Sequence, residues 1–288
     1  MMEQVTIAHF TDPMMGLSWE CEPMLRKIET RFGKQVALRN VMGLLVRDVV
    51  DFMTPEERKL PESEGLARYN RRLAQIYLQE EPIAGMPINM EGFCLFAPDR
   101  RTSLPLCLAY EAVLATRPKL ADRFLYQLRY ATVVECQPTT KFEELLRVAQ
   151  ICGIGPSEFS AAYESPATQD RLYQDLALKE QLRIYGLPAF VVSYGARGSM
   201  LHGVPTYQQL KQAIVQVSEG IVRPSRPQAT PEALSELLDR HPLMSLVEVA
   251  ADFDLTDVES VTRLAKPLLT TGRAHLARTS KGAFLARQ

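Results

Sequence analysis

The sequence predicts an α/β fold with a helical insertion, followed by a small second unit, and three observations carry that prediction. The chain opens with a β-α-β pattern and closes its first 221 residues with α-β-β-α. From about 50 to 184 the apolar residues between those two blocks recur near the helical period. Beyond a proline-rich stretch, residues 232–288 read as three helices and a terminal hairpin.

The elements follow in order. Val5, Ile7 and then His9-Phe10 alternate as a strand does, and Thr11-Asp12-Pro13 ends it, because proline fixes φ and restricts the residue before it. Trp19, Met24, Leu25, Ile28 and Phe32 give a helix over 18–32, stopped by Gly33. A second strand over 35–46 makes a β-α-β unit, which implies a parallel pair with a right-handed crossover. Helices are expected at 64–80, 105–116, 119–133, 141–152 and 169–184, with breakers such as Gly85-Met86-Pro87 and Gly153-Ile154-Gly155-Pro156 between them. Strands return at 189–194 and 199–203, and a helix spans 206–219. Three prolines between Val222 and Pro231 mark a stiff, extended linker. The last unit places helices at 231–240, 245–253 and 257–270, with Pro267 interrupting the third, and strands at 274–278 and 283–287.

Composition narrows the function classes. The 288 residues exceed one typical domain, and 46% apolar with 23% charged residues excludes wholesale disorder. A formal charge of −1 provides no global field for nucleic acid or an anionic membrane. No apolar run approaches the roughly 18–20 residues that span a bilayer. The start, Met1 to Phe10, has no basic n-region or apolar h-region and reads as a strand. The cysteines (Cys21, Cys94, Cys107, Cys136, Cys152) are odd in number and never spaced C-x-x-C, which fits reduced thiols in the cytoplasm. The four histidines lack any metal-ligand or carboxylate spacing, so no metal site is expected, and His9 is expected to be a core residue.

The segment that carries chemistry runs from Asp12 to Leu25. In a β-α-β…β-β-α sheet the first long helix begins beside the first strand, and its dipole and free N–H groups there stabilise an anion such as a thiolate. Asp12, Pro13, Trp19, Glu22, Pro23 and Leu25 fall in register with D-P-x-C-x-x-C-W-x-x-E-P-x-L. The stretch resembles that of the DsbA-type, FrnE-like oxidoreductases, and Gly186-Leu187-Pro188-Ala189-Phe190-Val191 is similar to their cis-proline strand. The resemblance covers about residues 3–220 and implies a thioredoxin-like fold, a cis bond before Pro188, and thiol–disulfide exchange.

The departure from that pattern decides the expected function. Met15 and Ser18 stand where the family has its two cysteines, and neither a thioether nor a hydroxyl can form a disulfide. A shifted pair, Ser18-x-x-Cys21, would break the register, so Cys21 reads as a buried structural thiol. The chain also resembles the kappa-type glutathione transferases and the hydroxychromene-carboxylate isomerases, which read D-x-x-S-P-x-S-W here. Their activating serine falls on Met15, which donates no hydrogen bond, so glutathione is disfavoured and no cofactor is expected. Met14, Met15, Gly16, Leu17, Trp19, Leu187 and Pro188 are the candidate binding residues, on two uncharged loops expected to form one exposed lip.

Residues 232–288 resemble a winged-helix domain, yet from 229 onward seven cationic side chains meet eight acidic ones. Asp254, Asp257 and Glu259 at the third helix would repel DNA, so this unit is expected to contact protein rather than nucleic acid. The family includes adaptor proteins that present a regulator to an AAA+ protease. The sequence therefore points to a redox-inactive binder of a protein or peptide, with a disulfide oxidoreductase or isomerase, or a glutathione-dependent enzyme, as the alternative.

Overall fold

The computed structural model describes residues 4–288; Met1, Met2 and Glu3, part of the start read above as a strand, lie outside the described residues. Strand β1 (Val5–Thr11) buries Val5 and Ile7 completely, as the alternation requires. The expected first helix is two: α1 (Gly16–Glu20) and α2 (Glu22–Phe32), broken at Cys21. Pro23 explains the break, since it lacks an N–H and sits in the first turn of α2, where none is needed. Strand β2 (Val36–Met42) pairs in parallel with β1, from Val5 opposite Val36 to Thr11 opposite Met42.

The insertion contains α3 (Pro55–Arg58), α4 (Glu62–Glu80), α5 (Leu104–Thr116), α6 (Ala121–Val133), α7 (Phe142–Ile151), α8 (Pro156–Tyr163) and α9 (Pro166–Gln181). The sequence reading omits α8 because Pro156 reads as a breaker. In the fold it occupies the first helical position, where proline is tolerated. The chain then returns through β3 (Ala189–Tyr194) and β4 (Arg197–His202) to α10 (Tyr207–Val217). The sheet order is β2-β1-β3-β4, with β3 antiparallel to both of its neighbours. Helices α2 and α10 cover one face over Ile28, Phe32, Phe190, Val192 and Ile214.

The final residues form α11 (Pro231–Arg240), β5 (Leu243–Ser245), α12 (Leu246–Phe253), α13 (Val258–Thr270), β6 (Ala274–Arg278) and β7 (Ala283–Arg287). The three helices and hairpin match expectation, whereas the three-residue β5 is too short for a sequence pattern and completes a sheet ordered β5-β7-β6. Helix α13 runs through Pro267. Phe284 of β7 leaves its own unit's core and packs edge-on against Tyr130 at 5.0 Å. The linker lies along α2, where Ser225 donates to the Arg31 carbonyl at 2.7 Å.

Candidate functional site

The lip forms where β1 ends and α1 begins. Asp12 is fully buried and its carboxylate accepts from the Met14 N–H (3.1 Å), the Leu45 N–H (2.8 Å), the Ser103 hydroxyl (2.6 Å) and the Cys107 thiol (3.5 Å). Burial raises its pKa, and those donors oppose the rise. Asp12 is thus a fastener between the sheet, the loop after β2 and helix α5. The Leu187–Pro188 bond is cis, as expected, and Gly43 lets the Leu187 side chain sit against the loop after β2, where a Cβ would come 2.5 Å from its Cδ1 and force it to shift.

Met15 and Ser18 occupy the places of the absent thiols. Arg129 of α6, itself buried, donates to the Thr11 hydroxyl at 2.7 Å; Thr11 donates to Ser18 Oγ at 2.7 Å; Ser18 in turn faces Met15 Sδ at 3.9 Å. The second nitrogen of Arg129 meets Glu22 Oε1 at 2.5 Å. The Thr11 and Ser18 hydroxyls are both engaged, and a thioether has no S–H to ionise and forms no disulfide. The arrangement holds a shape and offers no nucleophile.

The lip is not the exposed surface that its uncharged residues suggest. Met14 and Met15 are only 1% and 5% exposed, because α4 lies across the start of α1. Tyr77 Oη donates to the Met14 carbonyl at 2.5 Å, and a Cβ on Gly16 would collide with the Glu80 carboxylate. What remains is a cavity of about 230 Å³ lined by Met15, Gly16, Leu17, Leu187, Tyr69 and Ile76, with Phe52 also on its wall. Phe52 and Ile76 are 43% and 37% exposed, whereas Leu17 and Leu187 are half-buried. Two further candidates stand elsewhere. Trp19 is wholly buried, its indole N–H donating to the Pro87 carbonyl at 3.1 Å and its ring against Tyr126 and Phe284. Pro188 is buried at the start of β3 and lies outside the cavity lining. Trp19 fastens three parts of the chain together and does not line the lip cavity.

All five cysteines are free thiols among the described residues. Cys21 is buried at the junction of α1 and α2, and burial pushes its pKa well up, as it does for Cys107. Cys136 and Cys152 are pushed up to about 11 by the same cause. A thiol held protonated is a poor nucleophile. His9 is a core residue as expected: it stacks on Phe190 at 4.4 Å, bonds Asn40 at 3.1 Å, and burial followed by nearby Arg129 lowers its pKa.

A second polar centre, missed by sequence, lies between α2 and α12. Arg26 is buried and reaches Glu22 (3.1 Å), Asp122 (3.1 Å), Glu248 (3.5 Å) and Glu29 (3.6 Å). Tyr126 donates to Glu248 at 2.6 Å, and His241 bonds Glu29 at 2.7 Å. Burial drives Glu248 up to about 7, whereas Glu29, although burial pushes it upward, is held at about 2 chiefly by His241 and Arg26. Asp254, expected to repel nucleic acid, bonds Lys27 and Arg31 of α2 at 2.5 Å each. No local signal announces it, since Arg26 and Arg129 stand in helices that carry other charges as well.

Fold and site together define a thioredoxin-fold protein whose lip holds no thiol pair. A family model for thioredoxin matches residues 9–212, and the chain belongs to that family. It is similar to a curated protein named ClpXP adapter protein SpxH from Halalkalibacterium halodurans, 24% identical over 263 residues, 90% of this chain and 81% of the relative. The protein of the same name from Shouchella clausii is 25% identical over 265 residues, with the same coverage. Among solved structures, a putative protein disulfide isomerase from Nitrosomonas europaea superposes with a TM-score of 0.62 at 18% identity, over 76% of this chain and 100% of that one, which is a likeness of fold. No helix among the described residues is long and apolar enough to cross a membrane.

Proposed function

We propose that this chain is a redox-inactive, cytoplasmic protein-binding module that acts as an adapter. The observation that carries this reading is the filled lip: Met15 and Ser18 replace both thiols, and the Arg129–Thr11–Ser18 hydrogen bonds hold them in a packed frame. The apolar cavity remains, and an apolar rim of Phe52, Ile76 and Leu17 surrounds a pocket fit for one partner side chain rather than for catalysis. The curated relatives are ClpXP adapters by name, and we extend that role to this chain. We read residues 1–221 as the thioredoxin-fold unit, 222–231 as the linker and 232–288 as a winged-helix-like unit locked to α2. A disulfide oxidoreductase would need a thiolate near the lip, and Cys21 there is held protonated.

The test is reconstitution. Proteins captured by the immobilised chain are added to ClpXP from the same cells, with and without the free chain. The expected result is faster degradation of at least one captured protein, lost in Phe52→Glu at unchanged melting temperature. Equal degradation with and without the chain would refute the adapter role.

A further inference from the structure

One of the molecule's further concavities lies against the beginning of β2, and none of the lip residues lines it. It measures about 450 Å³ and is walled by α2, β2, the α5–α6 junction and the Arg240–His241 corner. That volume falls within the range of ligand sites, about 300–1,000 Å³. Its floor is apolar: Leu25, Ile28, Val36, Leu38 and Leu114. Leu38 is 37% exposed, an uncovered leucine on a strand.

The charges of the wall divide into two groups. Glu29 and Asp122 are engaged by His241 and Arg26, and Arg39 is paired with Asp175 at 2.9 Å. Lys119 and Arg123 have no carboxylate partner among the described residues. Arg123 spends one nitrogen on the Ile151 carbonyl at 3.1 Å, and its buried Nε has no partner. Both line the groove at the α5–α6 junction, Lys119 in the turn before α6 and Arg123 in its first turn. β2 is an edge strand, so one side of its backbone between Val36 and Arg39 lies next to no other strand. An uncovered edge beside an apolar floor accepts an extended chain, whose alternate side chains enter the groove.

We propose that this groove is a second docking surface, whose occupant is an extended acidic segment of a partner protein. The segment runs along β2, sets apolar side chains on Leu38 and Leu114, and brings carboxylates to Lys119 and Arg123. Complementary charge selects the segment, and the floor anchors it. The proposal rests on the protein-binding reading above but uses none of the lip residues.

The probe is the fluorescein-labelled peptide Asp-Glu-Leu-Ser-Leu-Glu-Asp, titrated with the full chain and read by anisotropy. The charge-inverted peptide Lys-Arg-Leu-Ser-Leu-Arg-Lys and a twelve-nucleotide single-stranded RNA serve as competitors. Saturable binding of the acidic peptide is expected, weakened by salt and not displaced by the basic peptide. Lys119→Glu, an exposed position, should weaken it about fivefold, and adding Leu38→Asp should bring the loss to at least about tenfold. Phe52→Glu should leave it unchanged, so failure of the adapter assay and failure of this groove are read separately. Equal binding of both peptides, insensitivity to Lys119→Glu, or displacement by the RNA would overturn the proposal.

Discussion

The lip and the seam beneath α2 treat polar groups in opposite ways. At the lip, Asp12 has four donors, Ser18 is bonded, and the remaining space is mostly apolar, with Arg72 and Glu80 on its wall. At the seam, Arg26 is buried and holds several carboxylates, and Glu248 and Asp252 each retain a buried oxygen without a hydrogen bond. A buried charge is costly unless paired, so the seam is rigid only while Arg26 is present. The lip holds no thiol pair among the described residues, whereas the densest cluster of ion pairs joins the C-terminal unit to the first. The charge cluster at the seam is therefore architectural, and at the lip the buried Asp12 carboxylate serves the same end as a fastener.

The sharpest way to break that contrast is Arg26→Ala. It strips the compensating cation from Glu22 and Glu248 and is expected to cost about 3–5 kcal/mol in urea unfolding. A loss below 1 kcal/mol would mean that the seam is not held by charge. Met15→Glu comes next: a carboxylate placed where Met15 is 5% exposed should cost about 2–4 kcal/mol, while Met15→Leu stays within about 1.5. If Met15→Glu left stability unchanged, the lip would be open in solution.

The third variant concerns pH. Glu248 has an ordinary carboxyl value of 4.5 and a folded value of about 7, so folding favours its protonated form. That contribution is complete below pH 4.5 and is lost as pH rises through about 7. The melting temperature of the wild type minus that of Glu248→Gln should therefore fall across that window. A flat difference would remove Glu248 from the seam's titration. Ser18→Ala is the smallest effect, about 1–2 kcal/mol for leaving the Thr11 hydroxyl without its acceptor.

Much of the frame was legible because it is local. The Val5–Ile7 alternation, the Asp12-Pro13 stop and the proline before β3 each act within a few residues. What escaped is set by distance along the chain. Trp19 looks like a site residue in the sequence, yet its N–H goes to Pro87, 68 residues away, and that partner alone makes it core. The cover over Met15 comes from Tyr77 and Glu80, and the brace on Ser18 from Arg129, and no spacing near residue 15 announces any of them. The acids of the last unit were counted correctly as a charge, but only the pairing of Asp254 with Lys27 and Arg31, and of Glu248 with Arg26, gives that charge a use.

The central claim, that the lip has lost thiol chemistry while retaining its frame, is tested most directly by insulin reduction. The wild-type chain should match a protein-free control in the presence of dithiothreitol, whereas Met15→Cys/Ser18→Cys, with two thiols back at the start of α1 beside Pro188, should exceed it. Turnover by the wild type that disappears in Cys21→Ala would contradict the account.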